Sequence, residues 1–146
     1  MSKRELKSSV DGMEDVKLVL LSAGVADMLS GEVRLLQRRL NSTKEDCVIN
    51  TLIWDAEQIQ GGILNVNFHV PNLTGERSDN PTAVDNTQPN IPRLHELGKV
   101  AATALDGFEG FDFSLNLRDP GQLDNHGNQW IYNIQVEYNF LRKDIT

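Results

Sequence analysis

Apolar residues recur at helical spacing from Met13 through Val16 to Leu20, and again from Leu21 through Val25 to Met28, between Asp11-Gly12 and Ser30-Gly31. This period predicts a helix over residues 12–29. Ala23, Gly24 and Ala26 are small enough to let a sheet or a second helix approach closely. From Glu32 the period changes to two. Val33 and Leu35 alternate with Arg34, Leu36 and Arg38, which predicts a strand running to the turn cluster Asn41-Ser42-Thr43. Residues 46–54 are rich in β-branched side chains. They read as a second strand with Val48, Leu52 and Trp54 on one face and Cys47, Ile49 and Ile53 on the other, both faces being candidates for cover. The clearest alternation follows: Leu64, Val66, Phe68 and Val70 against Asn65, Asn67 and His69, ending at Pro71.

Residues 72–92 are polar and punctuated by prolines, which predicts a long irregular loop. A second amphipathic helix starts near Pro92, a residue suited to a first turn, and carries Leu94, Leu97, Ala101, Ala104 and Leu105 towards Gly107. Two alternating strands close the chain. One carries Phe111, Phe113, Leu115 and Leu117, and the other Trp130, Tyr132, Ile134, Val136, Tyr138 and Phe140. Residues 119–128 between them have the turn chemistry of a long hairpin loop. The expected fold class is α+β, in the order α-β-β-β-α-β-β. An antiparallel or mixed sheet of about five strands is covered on its apolar face by two helices. Residues 1–11 form a flexible arm in this reading and 12–146 a single domain.

Composition adds exclusions. With 39% apolar and 24% charged residues the chain matches an ordinary globular domain, so disorder and fibrous classes fall away. Fourteen basic against 21 acidic side chains give a charge of −7, which repels a phosphate backbone; sequence-specific binding of nucleic acid is not expected. The basic run at residues 34–39 reads as the exposed positions of a strand. A lone Cys47 between apolar neighbours excludes an intramolecular disulfide and reads as a small buried hydrophobe. Residues 1–10 lack the apolar core of a signal, and no stretch approaches the roughly 18 apolar residues of a membrane span. A cytosolic chain without membrane partners is expected.

Candidate chemistry is sparse. His69, His95 and His126 fall on different predicted elements, without the close spacing that metal ligands favour. Asp106, Glu109 and Asp112 are misplaced for a calcium loop and read as solvation of a turn. No carboxylate sits inside an apolar run, no nucleophile motif occurs, and Gly61-Gly62 lacks the lysine and helix of a phosphate loop. The aromatic alternation from Trp130 to Phe140 reads as core rather than a base-stacking platform. The amides Asn65, Asn67, Asn116, Asn133, Gln135 and Asn139 make a polar, weakly charged face that suits water or another subunit equally. No catalytic residue, cofactor or metal is expected.

The element order, the phrase Lys44-Glu45-Asp46-Cys47-Val48-Ile49-Asn50, the strand Asn65-Val66-Asn67-Phe68-His69-Val70-Pro71 and the entry Asn90-Ile91-Pro92-Arg93-Leu94 carry a resemblance. Over residues 12–141 the chain resembles the small tail-completion, tail-terminator and head–tail joining (neck) proteins of tailed phages and prophages. The resemblance lies in order and short phrases, without an invariant motif. It implies α+β subunits that assemble without catalysis into homo-oligomeric rings, commonly hexameric. Such rings end the tail tube or join tail to head, contacting tail-tube or connector proteins. It also implies a place in the host cytoplasm during assembly and afterwards in the virion tail or neck. The interface positions it implies are placed by element: Lys3, Arg4 and Lys7 on the arm; Leu73, Arg77, Asp79, Val84, Ile91 and Arg93 in or beside the long loop; and Asp119, Leu123 and Asn125 on the hairpin tip. The alternative is a small-ligand or peptide-binding module that uses a helix–sheet pocket or an open sheet edge.

Overall fold

A computed structural model describes residues 3–4, 7–55, 60–77, 80–140 and 144–145. Strand β1 (Lys3–Arg4) precedes helix α1 (Ser9–Ser22), which begins earlier than the apolar period predicts. The reason is a capping box. The Ser8 side chain accepts from the Asp11 amide while the Asp11 carboxylate accepts from the Ser8 amide at 2.8 Å, so two otherwise orphaned donors are satisfied reciprocally. The arm expected over 1–11 therefore already contains helix at Ser9. The expected single helix over 12–29 is also divided. Gly24 adopts φ 83°, a left-handed conformation that ends one helix, and the short α2 (Val25–Met28) follows at a new angle of entry.

Strand β2 (Val33–Leu35) is shorter than predicted because Leu36 takes φ 69°, which no strand tolerates. β2 pairs parallel with β3 (Asp46–Asp55). The later strands β4 (Gln60–His69), β7 (Phe113–His126) and β8 (Gln129–Phe140) pair antiparallel, so the five-stranded sheet is mixed, in the order β2-β3-β4-β8-β7. Between β4 and the helix α3 (Ile91–Leu105), the stretch expected to be irregular forms a hairpin of β5 (Leu73–Arg77) and β6 (Asn80–Gln88). This hairpin is a two-stranded sheet of its own. β9 (Asp144–Ile145) pairs with β1.

The predicted hairpin loop at 119–128 is corrected in the same direction: β7 continues through it, with register shifts between Leu117 and Gln122, and turns only at Gly127-Asn128. Gly127 has φ 65°, the positive value a two-residue hairpin turn requires at its first position. Proline and glycine at 120 and 121 signal a bulged edge strand here, not a loop.

One sheet face carries Cys47, Ile49, Leu64, Val66, Phe68, Ile134, Val136 and Tyr138, all buried beneath Met13, Val16 and Leu20 of α1 and Leu94, Leu97, Ala101 and Leu105 of α3. Helix α3 starts where expected, at the Asn90 cap with Pro92 in its first turn. The aromatic alternation of β8 is core, as expected: Tyr138 stacks on Phe113 at 5.3 Å and Phe140 is buried. In β3 a register shift between Thr51 and Ile53 reverses the side-chain alternation. Trp54 is thereby turned to the helix face, 5.3 Å from Tyr138, while Leu52 and Ile53 are left exposed. The two-faced cover expected of this strand holds only for its first half, where Cys47, Val48 and Ile49 are buried.

Candidate assembly surfaces

The sheet face turned away from the helices is built from the other half of each alternation. Asn50 pairs across β4 with Asn65, and Asn67 across β8 with Asn133. Their amides bond laterally: Asn65 Nδ2 donates to Asn50 Oδ1 at 2.9 Å, and Asn133 Nδ2 donates to Asn67 Oδ1 at 2.6 Å and Asn65 Oδ1 at 3.2 Å. Because these groups satisfy one another, water can be removed from the face without orphaning every amide. It is a polar surface with a low penalty for being covered.

At one end of this face lies Asp46, the one polar residue that is fully buried among those described. Its carboxylate accepts from the Glu32 amide at 2.9 Å, Arg38 Nε at 2.8 Å and Ser42 Oγ at 2.6 Å. Burial opposes its charge, but the hydrogen bonds from Ser42, Glu32 and Arg38 outweigh that and hold the carboxyl below its ordinary range. Arg38 also donates to Gln129 Oε1 and the Lys44 carbonyl, each at 2.8 Å, so it ties β3 to the start of β8. His69 lies on the same face, opposite Asp46 on one side and Ile131 on the other. Burial, and then the Arg38 guanidinium, push it from the ordinary 6.5 down to about 4, against a hydrogen bond with Gln129. Its Nδ1 is buried without a hydrogen-bond partner. The network fixes residues 36–45, which carry the chain from β2 to β3. Arg38 is therefore an internal anchor, unlike the exposed position the basic run predicts, whereas Arg39 is exposed and pairs with Glu32 at 3.3 Å.

The β5–β6 hairpin is fastened at its base. Asn72 Nδ2 donates to the carbonyls of Asn86 at 2.9 Å and Asn128 at 2.7 Å, and Trp130 Nε1 donates to the Thr87 carbonyl at 3.2 Å. Among the described residues its strands pair only with each other.

The positions implied as interface divide into three groups. Leu73, Ile91, Leu123 and Asn125 are exposed. Lys7, Arg93 and Asp119 are engaged within the chain. Lys7 Nζ contacts Asp15 at 2.6 Å and Asp112 at 3.1 Å and lies over the rings of Phe113, Tyr138 and Phe140. Arg93 grips Glu45 with two bonds of 2.8 and 2.9 Å and also bonds Glu96 and the Met28 carbonyl, so the start of α3 is clamped to α2 and to the segment before β3. Asp119 accepts from the Gly121 amide at 3.0 Å and from Gln122 across the bulge. Lys3, Arg4, Arg77 and Val84 lie on β1, β5 and β6, where the backbone alone is described, and Asp79 lies outside the described residues. The positions sequence reasoning passes over are Asp46, Gln129 and the exposed leucines at 36 and 40. The unusual acid opening the apolar run 47–49 was the available signal for Asp46.

Chemically reactive arrangements are few among the described residues. The Cys47 thiol is wholly buried and pushed up by burial and by Asp46, which leaves it protonated and unreactive at neutral pH. No group of three or more His, Cys, Asp or Glu among the described residues is placed to hold a metal ion. No described helix is long and apolar enough to cross a membrane. The fold is thus an α+β domain with a self-bonded polar sheet face, a pinned loop and a hairpin whose strands pair only with each other among the described residues. No protein-family model matches the chain, and none of the curated proteins matches it in sequence.

Proposed function

We propose that the chain is a non-enzymatic structural subunit of a tailed phage or prophage, assembling in the host cytoplasm as a ring that ends the tail or joins tail to head. The observation that carries this reading is the β5–β6 hairpin, whose strands pair only with each other among the described residues and which is tied to the body at Asn72 and Trp130. A two-stranded hairpin is marginal in water by itself, so added stability from a neighbouring surface suits an element of this kind. A neighbouring ring subunit or a tail-tube protein supplies such a surface. The resemblance in element order and in the phrases around Asp46, Asn67 and Pro92 supports the same reading. The self-satisfied amides of the sheet face suit a partly wet subunit contact.

The test is electron microscopy and native mass spectrometry of the purified chain at raised concentration, alone and with purified tail tubes. Closed rings, or caps on the tube ends, are expected. A chain that remains monomeric in both settings and leaves the tubes uncapped rejects the reading.

A further inference from the structure

A cavity of about 370 Å³ opens beside the segment that joins β2 to β3. Ser30, Gly31 and Glu32 form one wall, and the stretch from Arg39 to Lys44 forms the other. Both walls are held in place. The Gly31 amide donates to the Glu45 carbonyl at 2.8 Å, and the Glu45 amide donates to Ser30 Oγ at 2.9 Å. The opposite wall is a tight turn in which the Ser42 amide donates to the Arg39 carbonyl at 3.1 Å and Asn41 takes φ 57°. Asp46 joins the two walls, accepting from the Glu32 amide and from the Ser42 hydroxyl. The cavity is therefore formed in advance of any ligand, and ordering its walls adds no cost to binding.

The hydrogen-bonding groups around it are unevenly committed. Its acids are occupied: both oxygens of Asp46 accept bonds, and Glu32 receives Arg34 on one oxygen and Arg39 on the other. Glu45, behind the wall, is gripped by Arg93. Donors are what remain. Arg39 spends one Nη on Glu32, and its other Nη and its Nε have no protein partner among the described residues. The Lys44 ammonium, the Thr43 hydroxyl and the amides of Leu40, Asn41 and Thr43 have none there either. Successive unbonded amides in a turn make a concavity suited to an anion. A net charge of −7 repels anions from the chain as a whole, so this surplus of donors is a local property. We propose that the cavity binds a phosphate group. Its three oxygens and charge of about −1.5 to −2 match two cations and several neutral donors, where a carboxylate offers two oxygens and one charge. The volume lies towards the lower end of the roughly 300–1,000 Å³ of small-molecule pockets, which admits free phosphate or a small phosphate monoester. This site is independent of the ring reading.

The test titrates the isotope-labelled full chain with inorganic phosphate, ribose 5-phosphate and ribose at fixed ionic strength and neutral pH, following amide resonances by NMR. Saturable shifts are expected with both phosphates at Leu40, Asn41, Thr43 and Lys44, and none with ribose. Equal affinity for the two phosphates identifies free phosphate as the ligand, and tighter binding of the sugar phosphate identifies a monoester. Lys44→Gln and Arg39→Gln should each weaken binding by about tenfold, as loss of one charge-assisted bond does. Both side chains are exposed, so the remaining resonances should stay in place and report an intact fold. Lys99→Gln, on the exposed side of α3, should bind as the parent does. The proposal is overturned if millimolar phosphate gives no saturable shift, if the shifts gather equally around Lys99, or if both cavity variants bind as tightly as the parent.

Discussion

His69 shows how a single side chain links position to acid sensitivity. It sits between Asp46 and Ile131 on the sheet's polar face, with Arg38 and Gln129 beside it, and its folded pKa of about 4 lies below the ordinary 6.5. As pH falls through 6.5 the unfolded chain takes up a proton that the folded chain refuses, so stability declines between 6.5 and about 4 and this contribution then levels off. Asp46 has a depressed pKa, so its contribution is present above the unfolded carboxylate range and is lost only at lower pH, as the folded carboxyl takes its proton. Urea denaturation from pH 7 to 4 should therefore show falling stability, and His69→Gln should flatten that slope while leaving the decline below pH 4. An unchanged slope in the variant would place the acid sensitivity elsewhere. In the sequence His69 could be read only as one polar member of an alternating strand. Its surroundings come from Arg38 and Gln129, far apart in the chain, and no local pattern encodes that meeting.

At the scale of elements, the seating of α3 on the sheet depends on Gly98. A Cβ there would lie 2.4 Å from the Tyr132 ring, and one at Gly121 would lie 2.1 Å from the same ring, so the ring is held between helix and edge strand with no room to yield. Alanine normally favours a helix over glycine by about 1 kcal/mol. Overpacking costs about 1–3 kcal/mol. Gly98→Ala should therefore be neutral to destabilising by about 2 kcal/mol, the difference of those two effects, and Tyr132→Ala should cancel the penalty in a double-mutant cycle. Additive effects would show that the ring is not the obstacle. The helices and the strand 64–70 are legible in the sequence because one face of each is buried, and burial imposes a period. The shift in β3 is not, because a bulge needs only one extra residue and no particular composition, yet it exchanges the faces of Leu52, Ile53 and Trp54. The capping box at Ser8 and Asp11 was present as a local signal, but the apolar period begins later and draws the boundary with it.

For the whole molecule, the contrast is between a body built on one buried apolar cluster and a hairpin arm whose ladder closes on itself among the described residues. The sheet and helices bury a continuous apolar cluster from Met13 to Phe140, whereas the strands of the β5–β6 hairpin pair, among the described residues, only with each other. Residues 72–92 read as a loop because their sequence carries no alternation of apolar residues, and a composition of prolines and amides serves a ladder of backbone bonds as well as a coil. A ladder that pairs only with itself among the described residues can open without breaking the five-stranded sheet. Limited trypsinolysis of the monomer should therefore cut first after Arg77, at the end of β5, with the melting of the remaining body changed little. If the arm is ordered against a neighbour, assembly should slow that cut in proportion to the fraction of arms engaged, while the exposed Lys99 of α3 gives an internal comparison in a stable helix. Equal cutting at Arg77 before and after ring formation would show that the arm stays outside the subunit contact. It would leave the amide face as the candidate surface for contact between copies.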